Sequence, residues 1–169
     1  MQKATATLDT SFWINACRAG LLDLVEDLFR LVITYAVANE IRFQTRSLGV
    51  TPPDTELMER RLASGSLRLE EPRRASGLFG PGEAAAIGLA EGKGYFLLMD
   101  DGRPHQYARS AGIRVVGTPD LVVMLYEQRK MTLREARAMV GSLLGVSARI
   151  VGTAEELLEA TARARGEAL

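Results

Sequence analysis

The chain alternates between short, continuously apolar runs and longer stretches in which apolar side chains recur every three or four positions. The first kind predicts buried strands and the second predicts amphipathic helices. Ala4 to Asp9 reads as a strand, and Thr10 then caps a helix to about Arg18 that Gly20 ends. Leu21, Leu24, Val25 and Leu28 predict a helix reaching Phe29, and the run Leu31-Val32-Ile33-Thr34 predicts a second strand. Val37, Ile41 and Phe43 lie in a helical segment that ends near Arg46. Ser47 to Asp54, with Gly49 and Pro52-Pro53, is a loop. A polar helix over Thr55–Ala63, a short strand Leu67–Leu69 and a turn-rich loop from Glu71 to Gly82 follow. The small-residue helix Glu83–Ala90 closes at Gly92–Gly94. Tyr95-Phe96-Leu97-Leu98-Met99 is the clearest strand and runs straight into Asp100-Asp101-Gly102. Helix Pro104–Ala111 and strand Ile113–Val116 come next. Gly117-Thr118-Pro119-Asp120 opens a helix to about Arg129, with Thr118 as cap and Pro119 at the first position. Further helices are expected from Thr132 to about Leu144 and over Ala154–Ala168.

Strands and helices alternate, and the strands show no in-out pattern. Both features indicate an α/β fold with a central parallel sheet covered on two faces by helices. A chain of 169 residues has room for one such domain with a sizeable core. We expect it over residues 1–145, with a C-terminal helical extension over 146–169. Lys plus Arg is 21 and Asp plus Glu is 21, so the formal net charge is +0. A polyanion would therefore be held by a local patch and a metal, not by the field of the whole protein. The single Cys17 rules out an internal disulfide framework and a Cys-rich zinc site. The single His105 argues against a histidine metal centre. One cysteine, no apolar leader and no membrane-length run together point to a cytoplasmic setting.

Carboxylates fall at telling places. Asp9 closes the first strand, and Asp100 and Asp101 close the strand Tyr95–Met99. Glu40 sits early in the helix after the second strand, and Glu83 opens the helix after Gly80-Pro81-Gly82. In a parallel α/β sheet the strand C-termini share one edge, where ligands bind. Two carboxylates ~5 Å apart repel by roughly 3 kcal/mol at an effective dielectric of about 20. Protonation or a shared cation relieves this, and oxygen ligands suit Mg²⁺ or Mn²⁺. Such ions activate water and clamp phosphate oxygens. Each acid also has an ordinary reading: Asp9 as a helix cap, Glu40 as a solvated helix residue, Glu83 as a first-turn acid, Asp100-Asp101-Gly102 as a turn.

Thr7-Leu8-Asp9-Thr10-Ser11, Val37-Ala38-Asn39-Glu40-Ile41, Gly80 to Ile87, and Leu97 to Asp101 followed by Ile113 to Thr118 resemble, in order and spacing, the four motifs of PIN domains. The resemblance spans about Ala4 to Leu125. It implies a three-layer α/β/α fold and Mg²⁺- or Mn²⁺-dependent cleavage of single-stranded RNA. It also implies a VapC-type toxin paired with a small antitoxin, with a homodimer as a further option. Carried over by position, the ligand set is Asp9, Glu40, Glu83 and Asp101, with Asp100 the alternative to Asp101. Met99 stands where the family often has Ser or Thr.

Other residues bear on substrate. Thr10 and Ser11 either orient Asp9, contact a phosphate or cap the helix. Arg103, Arg73 and Arg74 are phosphate-contact candidates or solvated charges. His105 is expected on a helix surface, and Phe12 and Trp13 in the core. Two rival readings are a metal-dependent phosphatase on a similar sheet and a non-catalytic RNA- or protein-binding module. The phosphatase normally needs a second acid two residues past the first and a late-strand lysine, and both are absent here.

Overall fold

A computed structural model describes residues 3–48, 53–100, 102–143 and 148–168. Its strands are β1 (Ala4–Leu8), β2 (Phe29–Ile33), β3 (Leu67–Leu69), β4 (Phe96–Leu98) and β5 (Val115–Val116). They pair in the order β3-β2-β1-β4-β5, every pair parallel. Thr7 lies between Val32 and Leu97, and Leu8 beside Leu98. These neighbours point to opposite faces, yet Thr7, Leu8, Leu97 and Leu98 are all fully buried. The C-terminal half of the sheet is therefore covered on both faces, giving the three α/β/α layers. Cover ends at the other half of one face, where Thr5 is half-buried and Arg30 and Arg68 are exposed.

The helices are α1 (Thr10–Arg18), α2 (Leu22–Leu28), α3 (Tyr35–Leu48), α4 (Pro53–Ser64), α5 (Pro81–Lys93), α6 (Gly102–Ser110), α7 (Thr118–Glu127), α8 (Leu133–Ser142) and α9 (Ala148–Ala164). Helix α5 is buried along most of its girth because its residues are small: Ala84, Ala85, Ala86 and Ala90 are all in the interior. It packs on α3, β1 and β4. Gly88 lets the backbone at Arg74 approach so closely that a Cβ there would overlap the Arg74 carbonyl. Helices α8 and α9 pack on α7. The Arg165 guanidinium ties the chain beyond α9 to the end of α7, donating to the Tyr126 and Glu127 carbonyls at 3.1 and 2.7 Å. No helix among the described residues is long and apolar enough to cross a membrane.

Several boundaries differ from the pattern-based expectation, for local physical reasons. β2 begins at Phe29, which pairs with Ala4 and packs its ring on Phe96. α5 opens at Pro81, whose fixed φ and missing N–H suit a first helical turn. Asp9, not Thr10, caps α1, and Gly117, not Thr118, caps α7. α9 begins at Ala148 because Val151 extends the buried stripe of Ala154, Leu158 and Ala162. The expected boundary at 145/146 and Leu144 lie outside the described residues.

Candidate active site at the carboxyl edge of the sheet

Strand order runs outward from the middle: β2 and β3 to one side of β1, β4 and β5 to the other. The switch point of the sheet thus falls between β1 and β4, and ligands of open α/β sheets bind beyond the strand ends there. Asp9 follows β1 and Asp100 follows β4, so the two acids flank that crevice. The Asp9 N–H donates to the Leu98 carbonyl at 3.1 Å, which fixes the two strand ends together.

Each acid is held by neutral donors. Asp9 is only 2% exposed; its Oδ1 accepts the Phe12 N–H and its Oδ2 the Ser11 hydroxyl, both at 2.8 Å. Glu40, half-buried on α3, accepts the Thr10 hydroxyl at 2.5 Å and the Gly82 N–H at 2.8 Å. Asp100, 4% exposed, accepts three: Asn15 Nδ2 at 2.8 Å, the Thr118 N–H at 2.6 Å and the Thr118 hydroxyl at 2.5 Å. Three side chains of α1 therefore grip three different acids: Thr10 holds Glu40, Ser11 holds Asp9, and Asn15 holds Asp100. This ties acids from β1, α3 and β4 to one helix. Gly82 is part of the same arrangement, because a Cβ there would overlap the Glu40 carboxylate.

Glu83 turns toward its own helix start, accepting the Gly80 N–H at 3.0 Å. Asp120 does the same at α7, accepting the Gly117 N–H at 2.9 Å. Asp101 lies outside the described residues. His105 is not on the surface, as the sequence suggested, but 8% exposed. Helix α6 turns Pro104, His105 and Ala108 inward together, at helical spacing. Burial and then the Arg109 charge hold its imidazole below the ordinary histidine range, against the pull of Asp120 and Asp100. Arg103 is exposed at the start of α6. Arg73 and Arg74 are exposed beside the C-terminal half of α5, lining a cavity with Gly88 and Lys93. They stand away from the helix start that meets Glu40. Phe12 and Trp13 are fully buried core residues, as expected. A cavity of about 600 Å³ opens beside Glu40, lined by Thr10, Ala36, Asn39, Phe43 and Pro81.

Asn15 was not picked out by the sequence pattern, and Thr118 was read only as a helix cap, not as a partner of Asp100. A polar Asn among the buried Phe12, Trp13 and Ala16 of one helix was the available signal. Burial, then the nearby Asp54 charge, push the Cys17 thiol up to about 12, with Arg61 opposing.

Among the described residues, no three carboxylate, imidazole or thiol groups lie close enough to hold one metal ion. The chemistry of the donor set still fits a hard cation. The donors are all oxygen, and among the described residues no Lys or Arg forms an ion pair with Glu40 or Asp100. A carboxylate offers about four lone-pair positions, and the neutral donors fill two on Glu40 and three on Asp100. Hydrogen bonds of this kind orient ligands without neutralising them.

A parallel sheet with buried acids flanking its switch point is the architecture of an open α/β protein whose ligand site lies at the carboxyl edge. The chain belongs to the PIN-domain family: the family model DUF3368, a PIN domain, matches residues 5–163. PIN domains are generally nucleases and usually use divalent metals. Among solved structures the chain is similar to a PilT N-terminus domain protein, SSO1118, from the hyperthermophilic archaeon Sulfolobus solfataricus P2. That match has 13% sequence identity and a TM-score of 0.46, and covers 69% of this chain and 89% of that one. No curated protein matches the sequence.

Proposed function

We propose that the chain is a Mg²⁺- or Mn²⁺-dependent endoribonuclease acting on single-stranded RNA, and the toxin of a toxin–antitoxin pair. The observation that carries the nuclease reading is the bracket of α1, which orients Asp9, Glu40 and Asp100 at the switch point through neutral donors. Asp9, Glu83 and the Asp100–Asp101 pair would hold the ion, with Glu40 completing the set. A bound divalent ion would supply Lewis-acid polarisation of the scissile phosphate and activation of water. The residues do the positioning: Ser11 and the Phe12 N–H aim Asp9, Thr10 and Gly82 aim Glu40, and Asn15 and Thr118 aim Asp100. The cavity beside Glu40 gives an unpaired strand room to approach.

The test is cleavage of a labelled single-stranded RNA by the purified chain with Mn²⁺, with EDTA, and by Asp9→Asn. Cleavage that needs Mn²⁺, fails in the variant and leaves 5′-phosphate and 3′-hydroxyl ends supports the proposal. Ends bearing 2′,3′-cyclic phosphate would overturn it, because they arise from attack by the RNA's own 2′-hydroxyl. For the toxin assignment, induced expression should arrest growth with the native chain and not with Asp9→Asn. Equal growth with both would remove that part.

A further inference from the structure

The open half of the sheet face carries more cationic than acidic side chains among the described residues. Arg30 on β2 lies beside Thr5, and Arg68 on β3 lies beside Val32, so both arginines point to the same face. They sit on diagonal neighbours of adjacent strands, where side chains are roughly 7 Å apart and like charges repel. Both line a cavity of about 350 Å³ together with Tyr95 and Glu70. The Tyr95 hydroxyl donates to Glu70 at 3.2 Å and forms the sill of this cavity. Two residues after Glu70 and two before Tyr95 a second cavity begins, of about 360 Å³, lined by Pro72, Arg73, Arg74 and Lys93. Arg30, Arg68, Arg73, Arg74 and Lys93 are all exposed. None of the five makes an ion pair among the described residues. Of the acids along the same path, Glu26 is already paired with Arg61 at 2.6 Å, leaving Glu70 and Glu91 against these five cations and Lys3, whose ammonium donates to the Glu26 carbonyl.

Placing like charges side by side is unfavourable unless an anion joins them, and guanidinium forks match phosphate oxygens. The whole chain has a formal net charge of +0, so this excess is a local feature. We propose that these five residues form a second track for the phosphate backbone of a single nucleic-acid strand. It runs over the open sheet face and along the C-terminal half of α5, distinct from the acidic edge. The proposal rests on the nuclease reading only for the choice of nucleic acid as the polyanion. Helix α5 links the two places: from Gly82 at the acids to Lys93 at the track is roughly 16 Å along the helix. One strand several nucleotides long can engage both, which makes long substrates bind better than short ones.

The experiment is binding of a labelled 20-nucleotide single-stranded RNA, followed by fluorescence anisotropy in EDTA between 50 and 200 mM salt. Neutralising a phosphate contact changes the slope of log affinity against log salt by about 0.7 per contact for single strands. Arg30→Ala/Arg68→Ala should therefore flatten the slope by about 1.4, and so should Arg73→Ala/Arg74→Ala. Over that fourfold salt range each double variant would lose about sevenfold less affinity than the native chain. Arg134→Ala, an exposed arginine on α8, should leave the slope unchanged. Slopes equal to native in both double variants would overturn the track, as would displacement of the RNA by polyglutamate at lower concentration than by unlabelled RNA. The second result would make the track a seat for an acidic protein segment. No step requires cleavage, so a chain that binds RNA this way and never cuts it would keep the track and refute the nuclease reading.

Discussion

Replacing Gly82 by alanine sets two effects with opposite signs against each other. Gly82 is the second residue of α5, and in a helix alanine is favoured over glycine by about 1 kcal/mol. Propensity alone therefore expects a more stable protein. The added Cβ, however, would overlap the Glu40 carboxylate. Glu40 must swing away, losing the Gly82 N–H at 2.8 Å and the Thr10 hydroxyl at 2.5 Å. Hydrogen bonds to a charged group contribute roughly 1.5–3 kcal/mol each. Glu40 is half-buried, so water recovers part of that loss. The net effect is a destabilisation of about 1–2 kcal/mol, or roughly 3–6 °C in melting temperature for a domain of this size. Thermal unfolding by circular dichroism reads it. A double-mutant cycle with Glu40→Ala isolates the clash: in the Glu40→Ala background, Gly82→Ala should stabilise, because only the helix propensity remains. A Gly82→Ala protein that melts at or above the native temperature would refute the contact between α5 and Glu40.

Two further substitutions probe the interior around the acids. The Thr7 hydroxyl is buried between β2 and β4 with no hydrogen-bond partner among the described residues, so Thr7→Val should raise stability by about 1 kcal/mol; a lower urea midpoint would show that the hydroxyl has a partner. His105 has a lowered pKa, so below the ordinary histidine range the unfolded chain takes up a proton that the folded chain refuses. Its contribution is complete above about pH 6.5 and is lost as pH falls through that range toward the folded value. In urea titrations from pH 7.5 to 5.5, His105→Gln should flatten this decline, and an unchanged decline would place its cause elsewhere.

The strands and the acids at their ends were legible because they are local properties. Continuous apolar runs such as Leu31–Ile33 and Phe96–Leu98 are short and bounded by turn formers, and the position of Asp9 and Asp100 after them follows directly. Helix starts were less legible, since Asp9 against Thr10 and Gly117 against Thr118 differ by one residue and cap equally well on paper. Of the bracket of α1 only its local arm was legible, the Ser11 hydroxyl on Asp9 two positions away. Asn15 and Asp100 are 85 positions apart, and Thr10 and Glu40 are 30, so only the folded chain shows that they meet. Of the cation track only the adjacent pair Arg73 and Arg74 stood out in the sequence, and the rest was hidden for a related reason. Arg30 and Arg68 come together through strand pairing, while the charge balance of the whole chain conceals any local excess. His105 was misplaced because a polar residue after an acidic turn reads as exposed, whereas the rotation of α6 turns it inward.

Direct titration with Mn²⁺, followed by the electron paramagnetic resonance signal of the free ion, addresses the role of the acidic edge without relying on any substrate. The native chain should remove Mn²⁺ from solution, and Asp9→Asn and Glu40→Gln should each weaken that uptake by tenfold or more while keeping a native circular dichroism spectrum. Uptake that is absent in the native chain, or equal in all three proteins, would contradict the assignment of these carboxylates to a divalent ion.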